Sequence, residues 1–139
     1  MNRAELRQLA LDRIADADAL LNAGRWAGAY YLAGYAVECG LKACILAYVE
    51  QTGAIFTNKK FLDGCWTHEL ERLVTTADLQ ADLGLRIQAN PAFAGYWGLV
   101  KDWKETSRYE QKSEADARKL YEAITHDPDG VLKWIQSHW

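Results

Sequence analysis

The stretch "YYLAGYAVECGLKACILAY", Tyr30 to Tyr48, constrains the fold of this chain more than any other. It admits only two charges, Glu38 and Lys42, four residues apart and near its middle. At spacings of three and four, two stripes can be drawn through the surrounding helix, which the pattern extends from about Trp26 to Gln51. One is Trp26, Tyr30, Ala33, Val37, Leu41, Cys44 and Tyr48; the other is Tyr31, Tyr35, Glu38, Lys42, Ile45 and Val49. A surface helix carries one apolar stripe. Two stripes predict a central helix packed on more than one side. Ala29, Ala33, Gly34, Ala36 and Gly40 trim its surface so that neighbours can approach closely. Glycine costs roughly 1 kcal/mol against alanine in a helix interior, so packing must decide at those positions.

The two charges have two readings. Glu four residues before Lys is the favourable order for a solvated pair, worth about 0.3–0.5 kcal/mol on an exposed face. Alternatively both lie at least half buried, and the carboxylate then needs more than one partner, because a buried charge that loses its partner costs several kcal/mol. Neither reading suits a membrane span, where each charge at the bilayer centre costs roughly 3 kcal/mol.

The rest of the chain reads as helices separated by short punctuation, with no strand alternation. A first helix covers about residues 2–22 and ends at Asn22-Ala23-Gly24, glycine suiting a left-handed cap. So short a connection makes the first two helices antiparallel. The stretch "TGAIFTNKKFLDGCW" carries two turn signals and reads as an irregular loop. A third helix follows, with Thr67 as expected N-cap and Gly84 as stop. Asn90-Pro91 restarts a fourth, "PAFAGYWGLVKDWKETS". Ser113 with Asp116 forms a capping box for a fifth, and Pro128 and Gly130 kink or split the last segment before "VLKWIQSHW". The expectation is one all-α domain over residues 1–139, long enough to bury a core without disulfides or metal.

Composition narrows the function classes. The net charge of −3 gives no basic footprint for non-specific nucleic-acid or lipid binding. Three cysteines without a Cys-x-x-Cys pair, and an opening "MNRAELRQLALDRIAD" that is charged throughout, point to a reducing, cytoplasmic setting. No metal is expected, since there are no Glu-x-x-His pairs and Cys39 and Cys44 stand at a poor helical spacing for a shared ion. No cofactor is expected either, because the glycines at 28, 34 and 40 lie within a helix rather than in a phosphate loop.

"LLNAGRWAGAYYLAGYAVECGLKACI", "THEL" followed by Leu73, "SRY" and "GVLKWIQSHW" together resemble the HEPN family (higher eukaryotes and prokaryotes nucleotide-binding), in its stand-alone bacterial form. The likeness runs from Leu20 over nearly the whole chain, and "A-x-Y-x-x-G-Y-A-V-E-x-x-L-K" is its most specific part. The resemblance implies an up-and-down antiparallel bundle of four main helices plus a short C-terminal helix, commonly a homodimer. It implies either a metal-independent ribonuclease of toxin–antitoxin or defence systems, or a non-catalytic partner of a small nucleotidyltransferase. The ribonucleases carry Arg, four to six residues, then His. Arg108 matches the arginine, while the histidine positions hold Ser113, Glu114 and Ala115, and His126 lies too far along. The resemblance thus implies a catalytically incomplete protein that binds nucleotide, RNA or a nucleotidyltransferase-type partner. Two alternatives stand beside it: an active divergent ribonuclease using Arg108 with Glu114 or Tyr109, and a purely structural dimeric module.

The candidate polar site comprises Glu38, Lys42, Tyr35, His68, Trp103, Arg108 and Tyr109. His68 opens its helix and could cap it or reach a neighbour. Arg108 could complement a helix C-terminus, take a phosphate through two hydrogen bonds, or pair with Glu38 inside the bundle. Trp97 and Trp103 could stack on bases, or fill the core or a dimer interface.

Overall fold

The computed structural model describes residues 1–54 and 59–139, and within them the chain is all-helical, with no strand. Helix α1 (Arg3–Asn22) starts from a capping box in which the Asn2 side chain accepts from the Glu5 amide. Gly24, at φ 69°, turns the chain into α2 (Trp26–Thr52), and Gly53, at φ 67°, ends that helix. α1 and α2 fold back on each other as an antiparallel hairpin. Leu20 near the end of α1 packs over Gly28 near the start of α2, and Arg3 at the other end pairs with Glu50.

α2 is the central helix that its two stripes require. It packs against α1, α4 (Leu70–Thr76), α7 (Glu114–Thr125), α8 (Val131–Gln136) and a 3-10 turn over Glu105–Tyr109. By length and hydropathy it could cross a membrane, yet two thirds of its most apolar window is buried among these neighbours, as in the core helix of a soluble bundle. Its glycines mark the closest approaches. A Cβ on Gly34 would stand 2.2 Å from the Trp103 indole, and one on Gly40 would stand 2.9 Å from the Ile135 side chain. Val37 and Leu41 lead the core, joined by Leu73, Phe93, Ile124 and Ile135.

Several expected boundaries shift. Within the stretch read as an irregular loop, Lys59–Cys65 forms a helix, α3. Its Asp63-Gly64 pair is part of that helix because Gly64 is buried against Thr76, whose hydroxyl oxygen would lie 2.3 Å from an added Cβ. Residues 55–58 of the same stretch lie outside the described residues. The expected third helix is two, α4 and α5 (Gln80–Ala89), broken where Asp78 takes φ 59°. Gly84 lies inside α5 rather than ending it, and open space surrounds it. Thr67 does not cap α4; Glu69 holds that position, and the Thr67 hydroxyl, two residues before it, accepts from the Glu69 amide at 3.1 Å.

α6 (Pro91–Val100) begins as its Asn-Pro signal predicts, with Asn90 Oδ1 accepting from the Phe93 amide at 3.1 Å. It stops at Val100, short of the expected Ser107, and the chain turns so that Trp103 can bury itself against α2. The Ser113–Asp116 capping box opens α7. Pro128 and Gly130 separate α7 from α8, and a Cβ on Gly130 would meet the carbonyls of Ile124 and His126 at 2.6 Å.

Candidate functional site

Glu38 is 1% exposed, which settles the choice between its two readings in favour of the buried one. Its Oε1 accepts from Lys42 Nζ at 2.8 Å and contacts His68 Nδ1 at 2.9 Å. The carboxylate is thus held by two cationic or polar groups from different elements: Lys42 one turn along α2, and His68 in the segment that leads into α4. Lys42 and His68 are themselves partly exposed, with side-chain accessibilities of 26% and 47%. The network therefore runs from the core outward, which suits a charge that must be buried without being isolated.

His68 also reaches Glu105 Oε2 through Nε2, at 2.8 Å. Its ring bridges two carboxylates and ties α2 to the 3-10 turn. The Glu38 contact is a hydrogen bond, and the Glu105 contact is an ion pair when the ring carries a charge. The alternative in which His68 caps its own helix is therefore not the one adopted; it reaches a neighbour. Glu105 was missed by sequence reasoning. It sits two residues past Trp103 in a short 3-10 turn, where no helical period predicts which way a side chain points.

Glu38 Oε2, Trp103 Nε1 and Ser107 Oγ are buried and have no hydrogen-bond partner among the described residues. Trp103 is 1% exposed, lies over Gly34, and stacks on Tyr31 with ring centroids 6.0 Å apart. Tyr31 stacks in turn on Tyr35 at 6.2 Å. Trp103 and Trp97 are thus core residues, at 1% and 5% exposure, rather than platforms open to a base. Burial raises the Tyr35 hydroxyl above its usual range, with the neighbouring Cys39 and Glu38 adding to the shift.

Arg108 and Tyr109 stand apart from the internal network. Both are exposed on the 3-10 turn, Tyr109 by 78%, with the guanidinium 4.8 Å from the centre of the tyrosine ring. Hydrogen bonding to Tyr109, then to Tyr31, raises the Arg108 pKa above its ordinary value. Arg108 forms no ion pair with a carboxylate among the described residues, and the expected pairing with Glu38 is not made within the chain: Lys42 and His68 hold that place. Near the network, a cleft of about 410 Å³ is lined by His68, Lys101, Trp103, Lys104 and Glu105.

The other histidines serve elsewhere. His126 packs against Tyr96, and His138 approaches Asp82 at 3.0 Å, where Trp134 Nε1 also donates at 2.7 Å. The described residues contain no cluster of three or more His, Cys, Asp or Glu side chains arranged to hold a metal ion. Cys39 and Cys44 are buried, and burial raises their thiols to about 11 and about 12. Comparison with protein-family models, curated proteins and solved structures finds no match to the chain.

Proposed function

We propose that this chain is a HEPN-like binding protein that takes the phosphate of a nucleotide or RNA at Arg108 and does not cut it. The observation that carries this reading is the Arg108–Tyr109 pair, a guanidinium without a carboxylate partner among the described residues beside an aromatic ring, both open to solvent. A guanidinium can grip a phosphate through two parallel hydrogen bonds, and an exposed ring can stack on a base. The histidine nearest this turn is committed elsewhere, since His68 is engaged at both ring nitrogens by Glu38 and Glu105. General acid–base catalysis needs such a group within reach of the reacting atoms.

In this reading α1, α2, α6 and α7 are the four main helices of an up-and-down antiparallel bundle, and α8 is the short C-terminal addition. The protein works in the cytoplasm as a homodimer, beside a nucleotidyltransferase-type protein in a toxin–antitoxin or defence system. The test is fluorescence anisotropy with a labelled single-stranded RNA. Saturable binding that Arg108→Ala weakens about tenfold or more, the order of one lost charge-assisted contact, supports the reading. Binding that is equal in the variant, or no binding by the wild type, removes it.

A further inference from the structure

Glu38 also lines a second opening. Between α1, α2 and the end of α3 lies a groove of about 470 Å³, within the usual range for small-molecule sites. Its walls are Leu6 and Leu9 from α1, Leu46 from α2 and Trp66 after α3; Glu38 and Lys42 form its polar end. Trp66 is 84% exposed, an unusual state for an indole.

Three features of the polar end define what would fit. First, Glu38 Oε2 is buried, in a side chain only 2% exposed, and accepts nothing from the described residues. A buried acceptor left in that state is costly, and a donor arriving from the groove would relieve it. Second, the Lys42 ammonium has three donors, and Glu38 Oε1 is the one acceptor it engages among the described residues. Third, Lys42 already balances the Glu38 charge at 2.8 Å. A cationic ligand would meet the ammonium, and an anionic one would meet the carboxylate. A neutral group with a donor and an acceptor side by side satisfies both.

We propose that this groove is a binding site for a small neutral molecule with an apolar body and an amide-like edge. The edge gives an N–H to Glu38 Oε2 and takes a hydrogen bond from Lys42. The apolar body lies against Leu6, Leu9 and Leu46 and stacks on Trp66. Because Oε2 is buried, the ligand reaches it when the carboxylate turns toward the groove that Glu38 already lines, with Lys42 and His68 following Oε1. The site is separate from Arg108, so Arg108→Ala leaves it unchanged and the two proposals stand or fall independently.

The test is an NMR titration of the full chain, labelled at its amides and methyl groups. The probes are 3-phenylpropanamide and its two matched charged analogues, 3-phenylpropanoate and 3-phenylpropylamine. The expected result is saturable shifts at the Trp66 indole N–H and the Leu9 and Leu46 methyls, with the amide binding at least about fivefold tighter than either analogue, the order of one neutral hydrogen bond. Selectivity below that, shifts centred elsewhere, or no saturable shift for the amide overturns the proposal. Glu38→Gln should weaken amide binding by a similar factor. Should that variant not fold, Leu46→Trp fills the groove from a partly exposed position without touching the carboxylate. Amide binding that survives Leu46→Trp overturns the proposal.

Discussion

Lys42→Met isolates the energetic role of the buried carboxylate, because methionine keeps most of the apolar stem and removes only the ammonium. An exposed pair at this spacing would be worth about 0.3–0.5 kcal/mol. Glu38, at 1% exposure, is in a different regime. Removing one partner of a fully buried pair costs about 3–5 kcal/mol. Two features reduce that figure: His68 still contacts the same oxygen at 2.9 Å, and Lys42 itself is 26% exposed. The expected loss is then about 2 kcal/mol, several times the surface value. In a chain of this size that corresponds to a fall of about 6–8 °C in Tm. Urea unfolding of wild type, Lys42→Met, Glu38→Gln and the double variant would measure it, with an unchanged m-value as the check on two-state behaviour. The cycle should return a coupling of about 1–2 kcal/mol between the two side chains. A loss below about 0.5 kcal/mol for Lys42→Met, with no coupling, would refute the reasoning and return the pair to the solvated class.

Two glycines in helices should respond oppositely to alanine. Gly34→Ala pushes a Cβ to 2.2 Å from the buried Trp103 indole and should destabilise by about 2 kcal/mol, whereas Gly84→Ala enters open space in α5 and should stabilise by about 1 kcal/mol; equal effects in urea unfolding would contradict the packing described. Cys39 and Cys44, with thiols raised by burial to about 11 and about 12, are protonated at pH 8 and should react with a disulfide reagent only after unfolding. Rapid modification of all three cysteines in the native protein would count against this. The Asp116 carboxyl is held below its ordinary 3.8 by hydrogen bonding to Ser113, so its cap contributes stability above that value and loses it as pH falls through the lower folded one. Asp116→Asn should therefore flatten the acid limb of the stability curve below about pH 4 and leave its shape near neutrality unchanged.

Much of the fold was legible because long, patterned segments speak clearly. The two stripes of α2 and the short link at Gly24 required a central helix with α1 folded back on it, and the Asn90-Pro91 and Ser113–Asp116 signals marked helix starts that the structure keeps. What was illegible depended on tertiary contact. Gly64 looks like a turn residue until Thr76 is seen against it, and Gly84 looks like a stop until Asp78 is seen to make the break instead. The site divided in the same way. Glu38, Lys42 and His68 could be selected from an apolar run with two charges and a helix-opening histidine, and the structure joins all three. Glu105 could not, because a five-residue 3-10 turn carries no period that fixes a direction. Arg108 was selected by resemblance and lies on the surface, where its charge faces solvent rather than Glu38.

The most direct measurement of the central claim is the integrity of RNA that the protein has bound. A 5′-labelled single-stranded RNA, incubated with purified protein in the presence of a chelator and resolved on a denaturing gel, should remain full length while the same mixture shows Arg108-dependent binding. Discrete fragments that accumulate with time, and that disappear in Arg108→Ala, would contradict the account and make the protein a nuclease.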